Sequence, residues 1–441
     1  MTDSGWKIIL APEYASEVRK FEEHGTVLSS KDQFHGDIPG FEPFNAGSLI
    51  ELQLVKYMAK KSCSKSAGHV FSSLSLESGR VVQEMCSDDP NWRPIQAEST
   101  AVRMIAHLTA AVFAGRQLCR NSEWIDITIQ YSLTAMVAAE QLWRWPRLAR
   151  RMAARFLPSC RLLSAQVQRA NELVSTTSQA RKDETTATQQ AGMEQSTSYH
   201  DGLEWMEEYA RGRPYRPGVT QLAVTLGAVD TTKDLLMQVL YDIAGKSDLM
   251  DALRREIVAI VSEHGWTKTT IVNLQLMDSM IKESQRLKPV GISKLSGIRR
   301  TAASDIHLSD GGIVPKNVPF EISNMHMWDD ADLYPDPLSF QADRFLRLRQ
   351  VPGHEATAQL ASLSADHLGW GLGKNACPGR FFVAMEVKVL LCHLILKYDW
   401  RLEDGCISEV RRYGTFLSAD PEGTLLVRRR REEVDLDGPL V

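Results

Sequence analysis

The chain has 441 residues, with 51 Lys+Arg against 55 Asp+Glu for a formal charge of −4, and is 43% hydrophobic and 24% charged. This balance supplies a large apolar core and excludes both a disordered chain and a strongly basic nucleic-acid binder. The seven dispersed cysteines lack C-x-x-C pairs and read as reduced thiols, no run of about 18 apolar residues is visible, and the opening MTDSGWKIILAPEY lacks the apolar stretch of a signal peptide.

Trp6 to Leu10 reads as a short strand stopped by Pro12, and Glu13 to Phe21 as a helix. Residues 22–100 are weakly periodic and punctuated at Gly36, Pro39 and Gly40. Helical spacing covers Ala101–Ala114 and Trp124–Leu157, with breaks at Gly115 and Pro146. Residues 174–200 are rich in Ser, Thr and Gln with few bulky apolar side chains, so a mobile loop is expected there. Helices are predicted over Val219–Ala244, Asp248–His264 and Leu274–Leu287. The prolines of 289–345 favour strands and irregular chain, and a long helix runs from Pro378 through Leu396. A strand over 423–427 precedes the charged run Arg428–Glu433, expected to be a solvated terminus.

The most informative segment runs from Trp370 to Phe382, WGLGKNACPGRFF. Gly371, Gly373 and Gly379 allow a tight loop through which backbone can approach a flat cofactor. Cys377 precedes a helix expected to begin at Pro378, so its thiolate would meet unpaired N–H groups and the positive helix end, which lower its pKa. A single thiolate held this way is what an axial haem ligand requires. Taken alone, a cysteine beside a glycine turn is better read as an ordinary buried thiol. A second segment, Gly227-Ala228-Val229-Asp230-Thr231-Thr232, lies inside a predicted helix, where small residues leave room for a ligand and Asp230 with Thr231 could relay protons. By itself it is also an ordinary helix with two tolerated threonines.

Company and order decide between these readings. The Trp370–Phe382 segment resembles the haem-binding loop of the cytochrome P450 superfamily, Phe-Gly-x-Gly-x-x-x-Cys-x-Gly, with Trp370 in place of the Phe. Glu283-Ser284-Gln285-Arg286 resembles the family's E-x-x-R helix motif, Ala342-Asp343-Arg344-Phe345 its P-E-R-F-like element, and 227–232 its oxygen-activation motif. Residues 6–12, 111–124 and 219–400 look like fungal members, the likeness being weakest over 22–100. Asn375 stands where many members carry a His or Arg and receives no role; the family's early W-x-x-x-R contact is not identifiable, since Trp92-Arg93 has the wrong spacing.

The resemblance implies a mainly α fold with a small β region, the cytochrome P450 fold, as one domain over residues 1–441 although length alone allowed several. It implies haem b with Cys377 as the axial iron ligand, Gly371, Gly373 and Gly379 in the loop that receives it, and Arg300 on a propionate, with adjacent Arg299 as the alternative. Glu283, Arg286 and Arg344 become a buried network that fixes the cysteine loop, and Asp230 and Thr231 manage protons. The implied reaction inserts one oxygen atom from O2 into a bulky apolar substrate, of terpenoid, meroterpenoid, indole-diterpene or alkaloid type, with electrons from NADPH–cytochrome P450 reductase. Competing readings are an oxygen-independent haem-thiolate isomerase or dehydratase, and a truncated, catalytically silent haem-binding homologue. Relatives imply the endoplasmic reticulum membrane; the absence of a visible anchor leaves a soluble or peripheral protein open.

Overall fold

The computed structural model describes residues 7–18, 25–27, 35–44, 49–64, 67–190, 198–289, 298–324, 326–403, 409–413 and 416–438. Its long helices are α1 (Leu49–Lys61), α2 (Ala67–Cys86), α3 (Ala97–Phe113), α4 (Ser122–Trp143), α5 (Pro158–Gln190), α6 (Pro217–Ile243), α7 (Ser247–His264), α8 (Gln275–Leu287) and α9 (Arg380–Lys397). The strands are β1 (Ile8–Leu10), β2 (Gly25–Val27), β3 (Arg93–Gln96), β4 (Ile298–Ala302), β5 (Ile306–His307), β6 (Ile313–Val314), β7 (Pro319–Ile322), β8 (Tyr398–Leu402), β9 (Arg411–Tyr413), β10 (Phe416–Ser418) and β11 (Thr424–Arg429). The mainly α class with small sheets is therefore as expected, and α6 to α9 fall where apolar periodicity placed them. Two elements the sequence reading missed, α1 and α2, occupy part of the weakly periodic 22–100 stretch.

The chain divides into two compact units. One comprises residues 1–28, 82–101 and 231–441, the other 29–81 and 102–230. The first holds every described strand. Its largest sheet has the order β1-β7-β4-β2, with β1 parallel to β7 and the other pairs antiparallel. Leu10, Ala302, Phe320 and Ile322 of this sheet pack with Leu368 and Leu372. Helix α9 is buried nearly all round from Phe382 to Lys397, as expected of a helix with no polar face.

Two expectations are corrected. Residues 174–190 are not a loop: α5 continues to Gln190, and only 198–200 of the remainder is described, as irregular chain. The polar stretch stays helical because its side chains bond along the helix and across to a buried partner. Thr177, Thr185, Thr186 and Thr188 each donate to the carbonyl four residues back at 2.8–2.9 Å. Arg181 makes a buried two-pronged pair with Asp201 at 2.8 and 3.0 Å, and its guanidinium lies 4.0 Å from the Tyr199 ring. Asp201 also caps the next helix by accepting from Leu203 and Glu204 N–H. Tertiary pairing thus supplies what the composition lacked.

The run Arg428–Glu433 is likewise not a free tail. Strand β11 pairs with β8 and β3, which carries the arginines to the C-terminal end of α9. There Arg430 donates to Leu396 O at 2.7 Å and Arg429 to Lys397 O at 3.0 Å, satisfying last-turn carbonyls that have no partner within a helix. Arg428 pairs with Asp399, and Lys397 with Asp437.

Replacing Arg181 with Met should leave Asp201 buried and unpaired, at a cost of about 3 kcal/mol. Hydrogen exchange should then accelerate over 178–190 well before 160–174 is affected. Equal protection of the two halves would show that bonds along the helix suffice.

Candidate active site around the cysteine loop

The loop that carries Cys377 is built from short backbone bonds around two glycine turns. Gly371 N–H donates to Leu368 O at 2.8 Å, a single 3-10 turn spans Gly373–Asn375, and Ala376 N–H returns to Gly373 O at 3.1 Å. Gly371 and Gly373 have φ of 70° and 75°, conformations other residues adopt only with strain. Gly379 differs: its φ is −87° and it caps α9, so its value is space, a Cβ there standing 3.9 Å from the Cys377 sulfur. The helix therefore starts at Arg380, with Pro378 just ahead of it rather than inside it.

Cys377 is half-buried. Backbone N–H groups of Gly379 and Arg380 and the Arg380 guanidinium favour its thiolate, but burial outweighs them and the thiol is pushed up. That corrects the expectation of a lowered pKa. The helix end orients the sulfur and partly compensates its charge, and a bound cation must supply the rest. Arg380 also ties the loop down, donating to Ala361 O and Cys377 O at 3.0 Å each.

Three hydrogen bonds in series connect this loop to α8. Asp278 Oδ2 accepts from Leu360 N–H at 2.8 Å, Leu360 O accepts from Trp370 Nε1 at 2.7 Å, and Trp370 O accepts from Cys377 N–H at 2.8 Å. Asp278 is itself paired with Arg349 and Lys388, and its carboxyl lies below the usual range because their charges and the Leu360 N–H outweigh its burial. One turn on, Lys282 Nζ donates to Thr357 O at 2.7 Å and Gln359 O at 2.9 Å. Neither Asp278 nor Lys282 was singled out from sequence. The available signal was their i, i+4 spacing on the helix that carries the E-x-x-R motif.

Glu283, Arg286 and Arg344 do come together, fully or nearly buried. Glu283 holds Arg286 through bonds of 2.7 and 2.8 Å and Arg344 through one of 3.0 Å. Two guanidiniums share one carboxylate, and carbonyls disperse the excess positive charge: Met327 and Pro337 accept from Arg286, and Pro335, Asp336 and Ser339 from Arg344. This trio clamps 327–344, while the direct bond path to the cysteine starts at Asp278. Gly369, also unmarked in sequence, sits where a Cβ would meet Gln285 Oε1 at 2.5 Å, so α8 presses directly on the chain entering the loop.

On α6, Gly227 and Thr231 are exposed and four residues apart on one face, with no atom within 4 Å of a Cβ placed at Gly227. Asp230 is half-buried, whereas the Thr232 hydroxyl is buried and has no hydrogen-bond partner among the described residues. Of the two threonines, Thr231 therefore faces open space. Arg300 is buried on β4, in register with Phe320 and Val27; the Arg299 side chain lies outside the described residues. Trp92 lies between the guanidiniums of Arg401 and Arg428, each 4.7 Å from its ring, which accounts for it without a haem contact.

Burial lowers the Lys282 pKa to about 7 from an ordinary 10.5. The folded chain then binds fewer protons than the unfolded chain between those values, so stability rises with pH across that window; as pH falls the contribution is lost progressively and is gone by about pH 7. Chemical denaturation at stepped pH should show a rising component approaching about 1.4 kcal/mol per pH unit. Lys282→Met should remove it; an unchanged slope in the variant would place the effect elsewhere.

Comparison with known proteins agrees with this geometry. The cytochrome P450 family profile matches residues 219–426. The chain is 40% identical over 439 residues to cytochrome P450 monooxygenase trt6 of Aspergillus terreus, covering 99% of this chain and 87% of that one. It is 38% identical over 436 residues to cytochrome P450 monooxygenase 1 of Gibberella fujikuroi, covering 98% of each chain. With 37% identity over 439 residues, cytochrome P450 monooxygenase adrA of Penicillium rubens is a third relative, with coverage of 98% and 84%. Among solved structures, retinoic acid-bound cyanobacterial CYP120A1 superposes with a TM-score of 0.68 at 15% identity, over 94% of this chain and 88% of that one, a likeness of fold. A cysteine on a loop with two glycine turns, held from a buried charged helix, together with near full-length likeness to named monooxygenases, places this chain in the cytochrome P450 family as a haem-thiolate monooxygenase.

Proposed function

We propose that this chain, as one catalytic domain, uses haem b on Cys377 to insert one atom of O2 into a bulky apolar molecule of fungal secondary metabolism, of terpenoid, meroterpenoid, indole-diterpene or alkaloid type. The observation that carries the reading is the Cys377 sulfur, half-buried and facing the Gly379 and Arg380 N–H groups, with room kept beside it at Gly379. The donor set fits a haem iron: one soft sulfur whose thiolate form needs a cation to complete its compensation. Gly371 and Gly373 would let the loop backbone approach the ring, and the Arg300 guanidinium would suit a propionate. Haem, when bound, supplies the reductive activation of O2, with electrons delivered by NADPH–cytochrome P450 reductase.

The protein's own part is to bind, orient and manage protons. Exposed Thr231, one residue from half-buried Asp230, is placed to pass protons into the space left open at Gly227. An acid–threonine pair beside the open face supports the oxygen-dependent reading over an oxygen-independent isomerase.

Among the described residues no helix is long and apolar enough to cross a membrane. Separately, we propose peripheral membrane contact through residues 133–162. Leu148 is 100% exposed, Phe156 73% and Met152 65%, a concentration of apolar surface. Residues 141–162 contain six arginines and no acidic residue, only Arg144 of them being paired, among the described residues, with the nearby Glu140, and this excess of positive charge commits the surface to an anionic lipid headgroup layer.

With reductase and NADPH, Thr231→Ala should divert electrons from product and water to hydrogen peroxide, O2 + NADPH + H+ giving H2O2 + NADP+, raising the peroxide yield per NADPH roughly twofold or more. An unchanged yield, or product formed without NADPH or O2, would contradict the reading. Co-sedimentation should show binding to vesicles containing phosphatidylserine that weakens with salt and falls at least about tenfold in Leu148→Glu/Phe156→Glu. Unchanged binding by that variant would rule the surface out.

A further inference from the structure

Two carboxylates of α6, Asp230 and Asp234, stand one helical turn apart, and their surroundings differ. Asp230 is half-buried on the side of Thr231, whereas Asp234 is buried against a counter-charge. That counter-charge is Lys288, the residue that follows α8, which is fully buried and pairs through Nζ with Asp234 Oδ2. The other oxygen, Asp234 Oδ1, accepts from Ala419 N–H at 2.8 Å and from Ser418 Oγ at 3.3 Å. Seven residues further along α6, two turns on and on the same face, Tyr241 donates its hydroxyl to Asp420 O at 2.8 Å. A single carboxylate thus gathers three separate parts of the chain: the turn of α6 after Thr231, the end of α8, and the turn after β10.

A buried ion pair is a weak source of stability. Apolar residues of similar size in its place are often neutral or stabilising, while removal of one partner alone is strongly destabilising. The pair is therefore better explained by placement than by stability. We infer that Asp234 and Lys288 are positioning residues for Thr231: the pair locks the turn of α6 that carries Thr231 onto α8 and the 418–420 turn, and it occupies Asp234 so that Asp230 remains the carboxylate serving the open face. Neither side chain need touch substrate or haem. The inference rests on the proton-managing role proposed above for Thr231 and extends it to two residues outside the family motifs.

The test separates placement from folding. The double variant Asp234→Asn/Lys288→Met removes both charges, leaves no buried charge alone, and retains a side-chain acceptor for the Ala419 N–H. Its thermal midpoint and holoprotein absorption spectrum should stay close to those of the parent. Amide exchange over 228–236 should accelerate about tenfold, and the peroxide yield per NADPH, measured with reductase and no added organic substrate, should rise roughly twofold or more. The decisive comparison is in the Thr231→Ala background, where adding the double change should move the yield no further because the pair acts through that hydroxyl. If the double variant does not accumulate, Asp234→Glu, which keeps both charges but displaces the carboxylate by one methylene, is expected to move the yield in the same direction. A correctly folded variant with the parent yield, or an increase that persists without the Thr231 hydroxyl, would overturn the inference while leaving the role of Thr231 standing. A Thr231→Ala protein with the parent yield would remove the underlying reading itself.

Discussion

The site depends on how one sulfur is held on a loop. Cys377 belongs to no sheet, and at the end of α9 its thiol is disfavoured as an anion by burial. Its position is set from outside, by the series Asp278 to Leu360 N–H, Leu360 O to Trp370 Nε1, and Trp370 O to Cys377 N–H. Every bond in the series is between 2.7 and 2.8 Å, and each intermediate residue both donates and accepts. The Trp at position 370 earns its place by its indole N–H as well as by its bulk.

Placing charges inside the protein to achieve this is costly unless each is answered. Helix α8 answers them along one stripe. Asp278 meets Arg349 and Lys388, Lys282 meets two carbonyls, and Glu283 meets two guanidiniums whose remaining N–H groups are taken by carbonyls of 327–339. His367, enclosed beside Lys282, is kept neutral by burial, so it adds no further charge. A network of this kind specifies one arrangement of the chain around the loop, because a slip of any segment would strand a charge.

The parts of this account that were legible in the sequence are those where local chemistry leaves a fixed spacing. The Gly371, Gly373 and Cys377 pattern is visible because positive φ and metal ligation each admit few residue types, and the small-residue face at Gly227 is visible for a similar reason. Helices α6 to α9 follow apolar periodicity. What stayed hidden depends on partners distant along the chain. Residues 174–190 read as a loop because the pairing of Arg181 with Asp201 cannot be seen from composition, and 428–433 reads as a solvated tail because its carbonyl acceptors belong to α9. Asp278 and Lys282 look like solvated charges on a helix until the carbonyl and N–H groups of 357–360 are brought to them. The proline expected inside the last helix lies just before it, since Gly379 takes the cap.

The central claim is that the Cys377 sulfur, presented by this loop, is the iron ligand. The direct measurement is the absorption spectrum of the purified, reduced holoprotein under carbon monoxide, recorded for the parent and for Cys377→Ala. A thiolate-type Soret band is expected in the parent and its loss in the variant. The same band in the variant, or a parent protein that binds haem without that band, would contradict it.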